Sequence, residues 1–75
     1  MFEINTEVLL ASDFEPSNDD EAHVQNYSLV GRITDLSHNE DKYFVTFDDT
    51  EKMGDDGQYE PDIAFWVDVD QVELA

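Results

Sequence analysis

KYFVTFD, Lys42 to Asp48, is the stretch that decides the fold. Aromatic and β-branched residues alternate along it, with Tyr43, Val45 and Phe47 on one side and Phe44 and Thr46 on the other, which is the period of a half-buried strand. Val45 and Phe47 are therefore expected in the core. On the N-terminal side, Ser37-His38-Asn39-Glu40-Asp41 reads as a turn. Before it, LVGRITDL, Leu29 to Leu36, reads as a second strand whose Gly31 is expected to mark a bulge or bend. On the C-terminal side, DDTEKMGDDGQYEPD, Asp48 to Asp62, is broken by Gly54, Gly57 and Pro61 and cannot lie inside a sheet. Ile63 to Val67 resumes as a strand, Asp68 to Gln71 is a polar turn, and Val72-Glu73-Leu74 is a last short strand. Near the start, Glu7 to Ala11 is an apolar run of strand length with Val8 and Leu10 on one side.

That makes five strands and an all-β fold. Residues 12–28 are the exception, a long first loop of a length that is often functional. Within it Ser17-Asn18-Asp19-Asp20-Glu21 offers cap residues followed by acids, a signal for one helical turn. The 75 residues form a single domain, 1–75, near the lower limit at which one core holds a fold.

The order of a first strand, a long loop, VGRITDL, KYFVTFDD and then FWVDVDQVEL resembles the small SH3-like barrels, including Tudor-like and KOW-like modules. The resemblance covers most of residues 7–75 and implies a small five-stranded SH3-like barrel. It also implies that the first loop, the 37–41 turn and the turn before the last strand gather near one end, while the 48–62 loop projects from the other. Such a fold hosts many activities, so the resemblance speaks to architecture. Proline-peptide binding would call for clustered aromatics in the long loop, which are lacking, and nucleic-acid-binding relatives would call for basic surfaces.

The charge is of the opposite sign. Twenty Asp and Glu against three Lys and Arg give −17, yet 40% of residues are hydrophobic and 12% aromatic, unlike a disordered acidic tail. Solubility alone needs a net charge of about 2 to 8 in a small domain. Size scaling makes the globule about 30 Å across, and about 30 Å of duplex DNA carries on the order of 17 charges. Arg32, Lys42 and Lys52 are scattered among carboxylates, which argues against direct nucleic-acid binding.

Other chemistries are weaker. With no cysteine and only His23 and His38, there is neither a disulfide framework nor a zinc site, and a reducing cytoplasm suits the chain. No apolar run reaches the roughly 20 residues of a membrane span, and Met1-Phe2-Glu3 lacks the basic start of a secretion signal. Counted from Asp49, the acidic loop places Glu51, Gly54, Asp55 and Glu60 as a calcium loop would. Met53 then stands where an oxygen ligand belongs, and the flanks are strands, so only weak, adventitious cation binding is expected there. Ser37-His38 lacks an orienting third group, the carboxylates lack a substrate cleft, and no glycine motif cradles phosphate. No catalytic activity, cofactor or metal site is expected.

A basic protein partner remains. Same-face residues i and i+2 on an extended strand lie roughly 6.6 Å apart, comparable to successive phosphates. Asp13 with Glu15, Asp19 with Glu21, and Asp68 with Asp70 share that separation. Such carboxylates could engage arginines that normally hold a DNA backbone. The expected partner-binding residues are Asp13, Glu15, Asp19, Asp20, Glu21, Glu40, Asp41, Asp68 and Asp70 at one end and Asp48, Asp49, Glu51, Asp55, Asp56, Glu60 and Asp62 at the other. In size, charge and lack of catalytic motif the chain resembles the acidic DNA-mimic inhibitors that phages and mobile elements use against host restriction, CRISPR or other DNA-binding enzymes. An SH3-like interaction module or subunit for a basic partner is the alternative. A surface adapted to high salt is disfavoured by the large apolar residues and by Asn5, Asn18, Asn26 and Asn39.

Overall fold

The structure, a computed structural model, describes residues 2–39, 41–47 and 63–75. The expectations for the 48–62 loop, its acids and its calcium-like spacing therefore lie outside the described residues.

Among the described residues there are five strands, β1 (Glu7–Leu10), β2 (Gly31–Leu36), β3 (Lys42–Phe47), β4 (Ile63–Asp68) and β5 (Val72–Leu74), with a helix α1 (Asp19–Tyr27) before β2 and a 3₁₀ turn (Val69–Gln71) before β5. They form one antiparallel sheet in the order β4-β3-β2-β1-β5. The fold is all-β, with the order of a small SH3-like barrel. The sheet is open, since among the described residues β4 pairs only with β3 and β5 only with β1.

The two-residue period of β3 sorts as expected, with Tyr43, Val45 and Phe47 buried and Phe44 and Thr46 half-buried on the opposite face. Val8, Ile33, Val67 and Val72 from the other strands complete the core with Val24 from α1. Phe47 stacks on Phe65 at 5.2 Å between ring centroids, and Phe65 on Phe14 at 6.4 Å. Tyr43 is buried with its hydroxyl satisfied, accepting from the Phe2 N–H at 2.8 Å while the Phe2 ring stacks over it.

Three local expectations need correction. Gly31 is not the bulge. The register slips between Ile33 and Asp35, and Gly31 stays in register with Val8 on one side and Phe47 on the other. Its lack of a side chain serves packing, because a Cβ there would stand 2.5 Å from Val45 Cγ1 and 2.6 Å from Phe47 Cε1. Second, β2 begins at Gly31 rather than Leu29, since Leu29 belongs to the end of the helix. Third, the helical turn of the long loop is a nine-residue helix.

Side chains fix the start of α1, and the backbone closes its end. Asn18 is the N-cap, its Oδ1 accepting from the Glu21 N–H at 2.9 Å, and the Glu21 carboxylate folds back to accept from Ser17 Oγ at 2.7 Å and Asn18 Nδ2 at 2.6 Å. Asp19, Asp20 and Glu21 in the first turn suit the positive end of the helix dipole. At the other end Ser28 adopts the left-handed conformation (φ 51°), and the N–H groups of Ser28 and Leu29 reach back to the carbonyls of Gln25 and Val24. This pattern closes a helix and brings Leu29 onto the core beside Val24. No described helix is long and apolar enough to cross a membrane.

Candidate partner-binding site

The loop after β1 is pinned by its one large apolar residue. The Ala11 N–H bonds the Gln71 carbonyl at 2.8 Å, the Phe14 N–H bonds the Ala11 carbonyl at 3.0 Å, and the Gln25 side-chain amide donates to the Phe14 carbonyl. Phe14 is thereby held against Phe65, while its neighbours Asp13 and Glu15 remain exposed. The capped helix start then presents Asp19, Asp20 and Glu21. On β4 the strand period buries Val67 and turns Trp66 and Asp68 outward, opposite Phe44 and Lys42 of β3.

Together these segments border an open depression of about 470 Å³. Among the described residues it is lined by four carboxylates, Asp13, Glu15, Glu21 and Asp68, by the aromatic Phe14 and Trp66, and by the cation Lys42. Trp66 is 47% exposed and meets Phe44 in a tilted contact with centroids 5.0 Å apart. Lys42 Nζ is hydrogen-bonded to Asp68 Oδ1, and both side chains remain about half exposed. The Asp68 hydrogen bond and charge, with a smaller push from Asp41, hold the Lys42 ammonium above its ordinary value. An exposed pair of this kind adds little to stability. Among the described residues, no hydrogen bond or ion pair engages Asp13 or Glu15.

The remaining described residues expected to bind a partner lie close by in the chain. Asp41 ends a turn organised by Ser37, whose hydroxyl donates to Asp41 Oδ1 at 2.9 Å and accepts from the N–H groups of Asp41 and Lys42. The Asp41 carbonyl accepts from the Val69 N–H at 3.1 Å, which brings this turn beside the 3₁₀ turn carrying Asp70. Asp13, Glu15, Asp19, Asp20, Asp41, Asp68 and Asp70 are exposed and Glu21 half-buried. Glu40, Asp48, Asp49, Glu51, Asp55, Asp56, Glu60 and Asp62 lie outside the described residues.

The extended two-residue spacing does not hold for every pair. Asp19 and Glu21 are on a helix, where i and i+2 do not face each other, and the chain turns into a 3₁₀ conformation between Asp68 and Asp70. Carboxylates are brought together here from different elements.

What such a site offers chemically is attraction for a cation. Among the described residues, no group of three or more His, Cys, Asp and Glu is arranged to hold a metal ion. The Ser37 hydroxyl is spent on its turn, and no described hydrogen bond joins it to His38.

Phe14, Trp66 and Lys42 are among the site residues that sequence reasoning did not single out. The strand period carried the signal, because a buried Val67 next to Trp66 turns the indole to the other face. No family model, curated protein or solved structure matches the chain.

Proposed function

We propose that this chain is a binding protein for a basic, nucleic-acid-binding partner, and that it acts as an inhibitor by presenting carboxylates where that partner normally meets phosphates. The observation that carries this reading is the convergence of Asp13, Glu15, Glu21 and Asp68, from three separate segments, around one open depression in a chain of net charge −17. A surface made acidic only for solubility has no need to gather anions from distant parts of the chain. Opposite charge speeds association and makes it salt-sensitive, and carboxylates match arginine in the two-pronged geometry that phosphate also offers.

A mobile-element origin fits this reading through composition and size. The depression also favours the narrower alternative, an interaction module of SH3-like architecture that takes a basic side chain of a partner into a local pocket. The two readings separate in one experiment. The tagged chain is used to capture partners from a bacterial lysate, and duplex DNA is then added to the bound fraction. DNA-mimic inhibition predicts release of a nucleic-acid-binding protein whose own DNA binding the chain suppresses. A captured partner indifferent to DNA supports the module and overturns the mimic.

A further inference from the structure

The lone described cation in the depression is the chain's own Lys42, which sits against Asp68 on the face that carries Trp66. From this we infer that the depression is a docking pocket for one arginine side chain of the partner, and that Lys42 is an internal occupant which the incoming guanidinium displaces from Asp68. The inference rests on the basic-partner reading and specifies which cation is taken and what it must replace.

Two further observations point to arginine. The outer face of β3 and β4 carries the Phe44–Trp66 pair, with Trp66 half exposed beside Asp68, so a flat cation could lie on the indole while its edge reaches carboxylates. A guanidinium can stack and donate two parallel hydrogen bonds to a carboxylate at once, whereas a compact ammonium keeps its water and gains less from the ring. Asp13 and Glu15 on the facing loop supply carboxylates with no described partner. The Lys42 ammonium shows that this wall holds a cation, and it does so through one exposed pair, which is weak enough to exchange.

The test uses acetylated, amidated hexa-arginine and hexa-lysine peptides at low salt, with binding read by the fluorescence of Trp66, the chain's single tryptophan, and by peptide anisotropy. Two variants remove one positive charge each. Lys42→Gln empties the pocket. Arg32→Gln does so on β2, opposite Thr46, which is about 13 Å along β3 from Lys42. Both positions are exposed, and circular dichroism checks the fold of each variant.

The expected result is that hexa-arginine binds several-fold tighter than hexa-lysine and quenches Trp66. Trp66→Leu should cut hexa-arginine affinity by roughly two- to fivefold, the range of an exposed cation–π contact, and leave hexa-lysine nearly unchanged. Lys42→Gln should strengthen hexa-arginine binding by more than Arg32→Gln does. Equal gains from the two variants would overturn displacement of Lys42. Equal binding of both peptides, insensitive to Trp66→Leu, would overturn the arginine pocket while leaving charge-driven binding of a basic partner intact. If neither peptide binds at low salt, the basic-partner reading fails with it.

Discussion

Replacing Gly31 with alanine tests the packing that holds the sheet together. The added Cβ would stand 2.5 Å from Val45 Cγ1 and 2.6 and 2.7 Å from two carbons of the Phe47 ring. Carbon atoms prefer about 3.5–4.0 Å, so the overlap is about an ångström with each neighbour. Neither can retreat, because Val45 and Phe47 are fully buried, valine is stiff at its first torsion, and the Phe47 ring is stacked on Phe65. Overpacking of this kind costs about 1–3 kcal/mol. Against it, alanine loses less backbone entropy on folding than glycine, which returns about 0.4–1 kcal/mol. With two fully buried side chains overlapped, the cost lies in the upper part of that range, about 2–3 kcal/mol, so the net is a destabilisation of about 1–2.5 kcal/mol, and with a urea slope of about 1 kcal/mol per molar for a small domain the midpoint should fall by about 1–2.5 M. The assay is urea unfolding followed by circular dichroism. Repeating it in a Val45→Ala background removes the nearest clash, so Gly31→Ala should cost less there. An unchanged or raised midpoint, or the same cost in both backgrounds, would refute the packing argument.

Three other outcomes follow from the structure. Asn18→Ala removes the acceptor of the Glu21 N–H and should destabilise by about 1 kcal/mol in the same urea assay; no change would mean that the cap does not hold α1. Raising salt from about 10 mM to about 150 mM shortens the Debye length from about 30 to 8 Å and should raise the melting temperature of a chain carrying −17, whereas a flat response would count against dense like charge. The folded Lys42 pKa lies above the ordinary 10.5, so the stabilising contribution of the Lys42–Asp68 pair is complete below that value and lost as pH rises through the folded pKa. The stability gap between wild type and Asp68→Asn should therefore hold through neutral pH and narrow as pH rises into that alkaline range, and a gap that changes near neutral pH would assign it to another group.

How much of this was legible in the sequence depended on whether a residue's neighbours in space were also its neighbours in the chain. The strands were, because a two-residue period writes the inside and outside of β3 directly into Tyr43-Phe44-Val45-Thr46-Phe47. The helix was legible only at its start. Val24 is its one buried residue, so it has no apolar stripe, and its C-terminal stop is a left-handed Ser28 where glycine or asparagine would have announced it. Gly31 was ambiguous because bending and close packing both call for glycine, and only its pairing with β1 and β3 together distinguishes them.

Within the site, the acids were visible as composition, but their convergence was not. Asp13 and Asp68 come to line one depression through the docking of Phe14 on Phe65 and the pairing of Ala11 with Gln71, contacts that join the two ends of the chain. Trp66 passed for an ordinary strand residue because its neighbours Phe65 and Val67 are also apolar. Lys42 passed for the start of β3, and its meaning comes from a partner 26 residues away.

The most direct test of the account is a displacement titration, in which the chain is added to labelled duplex DNA bound by the captured partner, at low and at moderate salt. The account predicts that DNA leaves as the chain binds, with no ternary species, and that chain and DNA lose affinity for the partner along similar salt slopes. A ternary complex, or a complex with the chain that ignores salt while DNA binding falls, would contradict it.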